Sequence, residues 1–341
     1  MKRFYATLVA QVMCTFSWCL CFGENPFDVY AEAPSSQLFF QQLAEYSEEH
    51  YERTQAELAV FRDHYETFSQ QFLAGTLPLL PENQRIPPVI HFIWLGERPF
   101  PYQSIGHLRS AMMYHPECHI LFWTDRPRQL AQLSEAEHNR VTFLGAQEIE
   151  EVLNQDPMCQ DLFHSSANEG EKADLLRYLI LFQQGGLYLD HDVRVYQSFA
   201  PFFPFLSFFC FCDRLYPMVL HQYVKCTNAV LASAPRSRVL KEILDEVKRG
   251  WHKWETFFDD VNFSFYSQYA FRLEENHSLY SHSVFLKTFI PLTVALKTMS
   301  LELDEQVFPP QLGQHVREVP EARPLCVHQT AMTWWKGKKD H

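Results

Sequence analysis

The pattern of apolar positions in the N-terminal part of the chain predicts helices. Residues 36–73 contain neither proline nor glycine, and large apolar side chains recur there mostly at helical intervals, with glutamate and glutamine between them. We expect one long helix or two antiparallel helices in this stretch. They belong to a helical N-terminal module over residues 24–84, which contains a proline-bounded stretch at 78–81.

The pattern changes from Arg85 onwards, where short apolar runs alternate with polar segments that are compatible with helices. Three of these runs predict buried strands, at residues 86–96, 119–123 and 141–144. Strands that alternate with helices are typical of an α/β domain with a mostly parallel central sheet. We place this domain at residues 85–341 and expect its ligands at the carboxyl ends of the strands.

The first residues of the chain form a different segment. Lys2 and Arg3 precede an uncharged and largely apolar run over residues 4–22. This pattern indicates a signal peptide or a single membrane anchor at residues 1–23, and hence a protein that is exported or anchored in a membrane. A buried N-terminal helix is the third interpretation.

Charge and cysteine usage exclude two classes of site. The 341-residue chain has 29 Lys+Arg against 41 Asp+Glu and a formal net charge of −12. This balance argues against nucleic acid as a partner, because phosphate binding needs a clustered basic surface. The nine cysteines include no CxxC pair, so zinc-type spacing is absent from the sequence.

The segment 169–195 carries the candidate chemistry, and its first half predicts an amphipathic helix. Leucines and an isoleucine form the apolar stripe of this helix, while Asp174 and Arg177 project from the other side, one turn apart. Gly185 and Gly186 then end the helix. On their own, Asp174 and Arg177 would be a surface ion pair of little consequence.

The second half of this segment is a short apolar strand that leads into Asp190 and Asp192. Two carboxylates at alternate positions of an extended chain point the same way, roughly 6.6 Å apart. Such a pair suits a hard divalent cation and the diphosphate that the cation binds. An isolated Asp-x-Asp is more simply a solvated turn, but this one follows a buried strand, where a ligand site is expected.

These residues together resemble the signature of the DXD sugar-transferase family, which includes fungal initiating mannosyltransferases, the large glucosylating cytotoxins and related bacterial effectors. The matching residues are Ala173-Asp174-x-x-Arg177-Tyr178 and Gly185-Gly186-x-Tyr188-x-Asp190-x-Asp192. Further matches follow the family's order, at residues 86–96, 122–125, 228–235, 307–309 and 327–335. The resemblance spans about residues 85–336.

The chain departs from the family in two places. The family often carries a Thr-Gly-Pro loop before its last third, where this chain has Thr-Phe-Ile-Pro at residues 288–291. The aromatic-rich stretch 251–289 matches no part of the family pattern. Both lie where acceptor contacts are expected, so the resemblance leaves the acceptor open.

The resemblance implies a GT-A-type nucleotide-sugar-binding fold with a metal site. It implies that Asp192 ligates a divalent cation, Mn²⁺ or Mg²⁺, directly. Asp190 would contact the ribose, the donor sugar or a metal-bound water, and we include it among the candidate ligands. His328 is the candidate third ligand, through a neutral imidazole nitrogen.

The resemblance also implies a donor site for a nucleotide-diphosphate sugar. Asp174 and Arg177 would hold sugar hydroxyls and the phosphate side of the donor. Trp94 would stack on the base, with simple core packing as the alternative. The other candidate donor-binding residues are Tyr188, Asn228, Trp334 and Trp335, and one of the two tryptophans would donate its indole N–H to the diphosphate.

The leading hypothesis is a metal-dependent glycosyltransferase that moves a hexose from a nucleotide-diphosphate sugar to a protein or glycan acceptor. Retention of anomeric configuration is implied by the resemblance alone. A metal-dependent hydrolase, in which Asp190, His191, Asp192 and His328 form a cage that activates water, is the second hypothesis. A non-catalytic binding protein that keeps the fold is the third.

Overall fold

The computed structural model describes residues 48–126, 130, 132–212, 226–251, 284–309, 312–313 and 324–329. The predicted signal or anchor segment at 1–23 lies outside these residues, as do Trp334, Trp335 and most of the stretch 251–289. Among the residues described, no helix has both the length and the apolarity needed to cross a membrane.

The first helix, α1 (Glu48–Ala74), covers the stretch predicted to be helical from residue 48 onwards, and residues 36–47 of that stretch lie outside the described residues. One face of α1 carries four buried aromatic side chains, Phe61, Tyr65, Phe68 and Phe72. The Phe72 ring lies 5.3 Å from that of Phe202, and the Phe68 ring lies 6.1 Å from that of Phe308. The helix therefore shares one hydrophobic core with the α/β region. The domain boundary at residue 84 stays a prediction.

The strands and α-helices that follow α1 alternate from β1 to α4, with β2 and β3 at the predicted positions. In chain order they are β1 (Val89–Ile93), α2 (Tyr102–Tyr114), β2 (His119–Trp123), α3 (Glu135–His138), β3 (Val141–Leu144), α4 (Ala146–Leu153), α5 (Pro157–Ser165), α6 (Glu169–Gln184), β4 (Gly186–Leu189), β5 (Val193–Val195), β6 (Phe208–Cys212), β7 (Cys226–Ser233), α7 (Arg238–Gly250), α8 (Ile290–Thr298), β8 (Glu305–Phe308) and β9 (Cys326–His328).

Seven strands form the main sheet of the described residues, in the order β3-β2-β1-β4-β7-β6-β8. The pairs β1–β2, β1–β4, β2–β3 and β6–β8 are parallel, whereas β7 runs antiparallel to both of its neighbours. The predicted fold class is confirmed in its architecture: the described chain has an α/β fold with a mostly parallel central sheet, preceded by a helical piece.

The strand order places the candidate chemistry at one edge of this sheet. Strands β1 and β4 are parallel neighbours, with Ile90 opposite Leu187, so their carboxyl ends meet. Trp94 follows β1 and Asp190 follows β4 at that edge. A separate two-stranded sheet pairs β5 with β9 and sets Val193 opposite His328. The topology therefore brings His328 beside the Asp-x-Asp turn.

Two glycines let α6 turn directly into β4, and a buried histidine holds the junction. Gly186 has a φ of +110°, and a Cβ atom there would lie 2.7 Å from Nε2 of His91. That nitrogen donates a 2.8 Å hydrogen bond to the Gly185 carbonyl, and Nδ1 accepts a 3.1 Å bond from the Trp123 indole. The ring is therefore neutral, and burial lowers the pKa of His91 to about 4.

Candidate functional site

Three predicted metal ligands meet beside the end of β4. The ligand atoms of Asp190, Asp192 and His328 all lie within 4.8 Å of one another. Nε2 of His328 is 3.3 Å from Oδ1 of Asp192 and 4.0 Å from Oδ2 of Asp190. Two carboxylate oxygens and an imidazole nitrogen form a donor set that fits Mn²⁺ or Mg²⁺. The residues present therefore fit the cation that the resemblance implies.

Backbone hydrogen bonds from three segments fix the Asp-x-Asp turn. The amide of Asp190 donates to the Ala229 carbonyl of β7 at 2.8 Å. The amide of Val193 donates to the Asp190 carbonyl at 3.0 Å, which closes the turn. The amide of Gln329, just after β9, donates to the Asp192 carbonyl at 3.0 Å. The backbone of both aspartates is thus held in place by hydrogen bonds that involve β7, the start of β5 and the residue after β9.

The carboxylate of Asp190 is held by two donors on one of its oxygens. Nη2 of Arg177 lies 2.9 Å from Oδ1, and the Tyr188 hydroxyl donates to the same atom at 2.7 Å. The guanidinium of Arg177 also stacks over the Tyr188 ring, 4.1 Å from its centroid. With Oδ1 occupied in this way, Oδ2 is the oxygen on the side of His328.

Arg177 is itself buried in a cluster of acceptors. Its Nη2 lies 2.6 Å from Oδ1 of Asp174, and its Nη1 donates to the Asn228 carbonyl at 2.6 Å. Burial by itself would lower the pKa of Arg177, but the carboxylates of Asp174 and Asp190 outweigh burial and raise it above its ordinary value. The guanidinium is therefore a permanent cation that offsets part of the acidic charge at the turn.

Asp174 is buried in a polar network that the sequence predicted only in part. The Asn228 side-chain amide donates to Oδ2 of Asp174 at 3.0 Å, and the Thr288 hydroxyl bonds the same oxygen. Burial raises the pKa of Asp174, against the opposing effect of Arg177. Thr288 was missed as a site residue; it stands where the chain departs from the family's Thr-Gly-Pro loop, and no local pattern marks it.

Trp94, the predicted partner of the base, lies next to the turn but is largely buried. Its ring meets the His191 ring edge-to-face at 4.9 Å and the Phe100 ring at 5.5 Å. Its indole nitrogen donates to the Arg98 carbonyl at 2.8 Å, and 9% of the residue is exposed. Stacking on a base stays a prediction for Trp94, and so do the roles of Trp334 and Trp335, which lie outside the described residues.

Two further residues at the site were missed by sequence reasoning. Ser104 and His107, both on α2, bond the ring and the backbone of His191. Their spacing of three on one helix face was the available signal. In a sequence this pattern is indistinguishable from a solvated face, because polar side chains at such spacing usually meet water.

Comparisons with known proteins find similarity over part of the chain. The family model described as "Glycosyltransferase sugar-binding region containing DXD motif" matches residues 101–208. Inositol phosphoceramide mannosyltransferase 3 of Schizosaccharomyces pombe is 26% identical over 120 residues, which cover 35% of this chain and 28% of that protein. Subversion of eukaryotic traffic protein A of Legionella pneumophila is 24% identical over 186 residues, 53% of this chain and 28% of that protein. The chain thus spans less than a third of either relative.

Two solved glycosyltransferase structures are also similar to this chain. PaToxG glycosyltransferase is 17% identical, with a TM-score of 0.42 over 71% of this chain and 79% of that chain. The UDP-bound glycosyltransferase domain from the YGT toxin is 10% identical, with a TM-score of 0.42 over 63% of this chain and 77% of that chain. At these sequence identities, both similarities are of the fold alone.

Proposed function

We propose that this chain is a metal-dependent glycosyltransferase, because the model of the DXD-motif sugar-binding region matches its residues 101–208. It would move a hexose from a nucleotide-diphosphate sugar to a hydroxyl of a protein or glycan acceptor. The observation that carries the proposal is the meeting of Asp190, Asp192 and His328 within 4.8 Å at the end of β4. The negative charge of a donor diphosphate would be repelled by the two aspartates, so a cation held by these three residues would be needed between them.

We assign the cation, Mn²⁺ or Mg²⁺, to Asp190, Asp192 and His328. When bound, it would supply Lewis-acid stabilisation of the charge that develops on the departing diphosphate. The chain's own part is to hold these ligands in place. Arg177 and Tyr188 fix Oδ1 of Asp190, and the pairing of β5 with β9 fixes His328.

We assign the donor sugar to the polar cluster of Asp174, Arg177 and Asn228. Within the described part of the chain, Nε of Arg177 is buried and has no hydrogen-bond partner. A sugar hydroxyl or a phosphate oxygen would supply one, and a buried donor without a partner is otherwise costly. Tyr188 would act through Arg177 and Asp190 rather than on the sugar.

For the rest of the donor we propose Trp94 at the base and Trp334 or Trp335 at the diphosphate. The residues of this site then act by positioning, which is the main contribution a protein makes when the leaving group is already good. We further propose that the acceptor attacks from the face that the diphosphate leaves, so that the configuration is retained. We also propose that residues 1–23 export the chain or anchor it in a membrane.

The experiment uses purified protein, Mn²⁺ and a panel of nucleotide sugars, and follows the release of free nucleotide diphosphate. We expect release with one donor, and its loss in the Asp190→Asn, Asp192→Asn double variant. An increase in the mass of candidate protein acceptors would identify transfer to protein. The absence of both donor turnover and metal-dependent nucleotide binding would contradict the proposal. Cleavage of simple phosphoesters instead would support the hydrolase hypothesis, which uses the same residues.

A further inference from the structure

Helix α2 turns a row of polar side chains towards the protein interior. Ser104, His107 and Ser110 are spaced three residues apart, so they lie on one face of the helix, and each is at most 6% exposed. We call this row the α2 polar stripe. The buried face of such a helix is ordinarily apolar, and burying three polar groups is unfavourable unless each has a hydrogen-bond partner.

The Ser110 hydroxyl donates to the His107 carbonyl within α2 at 2.7 Å, and the other partners of the stripe lie in the segment that contains the Asp-x-Asp turn. Nδ1 of His107 donates a 2.9 Å hydrogen bond to the backbone carbonyl of His191. The backbone amide of Val195 donates to the Ser110 hydroxyl at 3.0 Å. The Ser104 hydroxyl and Nδ1 of His191 share a 2.8 Å hydrogen bond. The stripe thus binds the backbone at two points and the ring of His191 at a third.

One of these contacts is made to the residue between two of the candidate metal ligands. His191 stands between Asp190 and Asp192, and its carbonyl belongs to the peptide bond that leads into Asp192. The hydrogen bond from His107 sets the plane of that peptide bond and therefore the direction in which the Asp192 side chain leaves the backbone. The His191 ring is fixed from three sides, by Ser104, by Trp94 and by Phe100.

We propose that the α2 polar stripe positions the Asp-x-Asp turn and thereby sets the affinity of the site for its cation. Ser104 and His107 are the residues that act on the turn, and Ser110 holds the strand that follows it. The inference rests on the proposed function, in which Asp190, Asp192 and His328 bind a divalent cation. It adds positioning residues from an element that contributes no ligand.

The test measures Mn²⁺ binding by the full chain without donor, for example from the electron paramagnetic resonance signal of free Mn²⁺. His107→Leu removes the donor to His191, and we expect the Kd for Mn²⁺ to rise about ten- to a hundredfold. His107→Asn keeps an N–H near the position of Nδ1, and we expect it to restore most of the affinity. A circular dichroism spectrum and a melting temperature equal to those of the unmodified protein establish that each variant is folded.

A second variant and a matched control complete the test. Ser104→Ala removes a single hydroxyl and is expected to raise the Kd for Mn²⁺ about two- to tenfold. This variant tests the proposal even if His107→Leu does not fold. Ser69→Ala is the control, because Ser69 is equally buried in a helix but donates within α1, to the Glu66 carbonyl at 3.0 Å. We expect its Kd to equal that of the unmodified protein.

The outcomes separate this inference from the proposed function. If the unmodified protein binds Mn²⁺ while the folded His107 and Ser104 variants bind equally well, the inference is overturned and the metal site stands. If the unmodified protein binds no Mn²⁺, or if binding survives Asp190→Asn with Asp192→Asn, the metal site and the inference both fail. If the His107 and Ser104 variants bind Mn²⁺ more weakly but the unmodified protein turns over no donor, the inference stands and the proposed activity does not.

Discussion

Arg177, buried in α6, pairs with Asp190 at the end of β4: Nη2 of the guanidinium lies 2.9 Å from Oδ1 of the carboxylate. The same nitrogen lies 2.6 Å from Asp174, so one cation joins the helix to the turn and compensates two carboxylates. Without Arg177 both carboxylates would lose their charge partner in a region from which water is largely excluded. The pair is therefore part of the fold as much as of the site.

Replacing Arg177 tests this double role. Arg177→Met fills much of the same volume but leaves Asp174 and Asp190 unpaired, and removing one partner of a buried ion pair costs about 3–5 kcal/mol. We expect a loss of this size in the free energy of unfolding in urea at pH 7. Arg177→Lys keeps the charge and should recover part of the loss. An Arg177→Met protein as stable as the unmodified chain would contradict the assignment.

Tyr188→Phe separates the hydroxyl from the ring. The ring still lies under the Arg177 guanidinium, but Oδ1 of Asp190 loses the 2.7 Å hydrogen bond from the phenol. We expect a loss of about 0.5–1.5 kcal/mol in the free energy of unfolding and weaker Mn²⁺ binding. Tyr196→Phe is the matched control, since Tyr196 is 38% exposed, and neither quantity should change there.

Metal binding should stabilise the folded protein. Asp190 and Asp192 place two negative charges beside His328, and a cation that binds only the folded state raises the free energy of unfolding by about 2.7 kcal/mol at a concentration of 100 times its Kd. We expect Mn²⁺ to raise the melting temperature and EDTA to reverse the increase. Asp192→Asn should remove the shift. A shift of equal size in Asp192→Asn would place the ion elsewhere.

Acid should destabilise the fold through two buried, neutral histidines. His91 and His115 both have their pKa lowered to about 4 by burial, against an ordinary value of 6.5. The unfolded chain therefore binds more protons than the folded chain between these values, so stability is full above pH 6.5 and falls as the pH drops towards 4. Each histidine accounts for about 3 kcal/mol over this range, at 1.36 kcal/mol per pH unit.

Urea unfolding at a series of pH values from 7.5 to 4.5 measures this effect. His115 accepts a hydrogen bond from the Phe199 amide at 2.8 Å and shares another with the Ala111 carbonyl at 3.1 Å, which only the neutral ring satisfies. His115→Gln replaces the titrating group by one that does not titrate, so the loss of stability with acid should become smaller. An unchanged pH dependence in this variant would remove His115 from the explanation.

The sequence predicted most of what local patterns determine. The alternation of apolar and polar runs predicted the mostly parallel sheet, and the glycine pair predicted the junction from α6 to β4. The carboxylates of Asp190 and Asp192 followed from their spacing together with their place after a buried strand. His328 came only from the resemblance, because nothing near it in the chain indicates that β9 pairs with β5.

What could not be predicted depends on contacts between distant segments. The aromatic stripe of α1 indicates a buried face, but not that its partners are Phe202 and Phe308. The stripe on α2 has the spacing of a solvated face, and only the packing of α2 on β5 shows that it is buried. Thr288 reaches Asp174 from a segment where the family resemblance ends. In each case the tertiary arrangement decides the role of a residue whose local pattern is ambiguous.

The last prediction concerns the junction that presents the turn. Gly186→Ala would place a Cβ atom 2.7 Å from His91 Nε2 and 2.8 Å from the Val89 carbonyl, at a φ of +110° that side chains rarely adopt. Neither neighbour can retreat without breaking the contact between β1 and β4. We therefore expect Gly186→Ala to lose both stability and Mn²⁺ affinity, or to fail to fold.

Gly106→Ala is the matched control, because it adds the same methyl group to a glycine of the same domain. Gly106 lies inside α2, and a Cβ atom there meets nothing within 4 Å. Glycine in a helix interior is less stable than alanine by about 0.5–1 kcal/mol, so this variant should be more stable than the unmodified protein and bind Mn²⁺ with the same Kd. Urea unfolding of the two variants side by side makes the comparison. Equal effects at the two positions would mean that the close approach of His91 to Gly186 does not hold β4 in place.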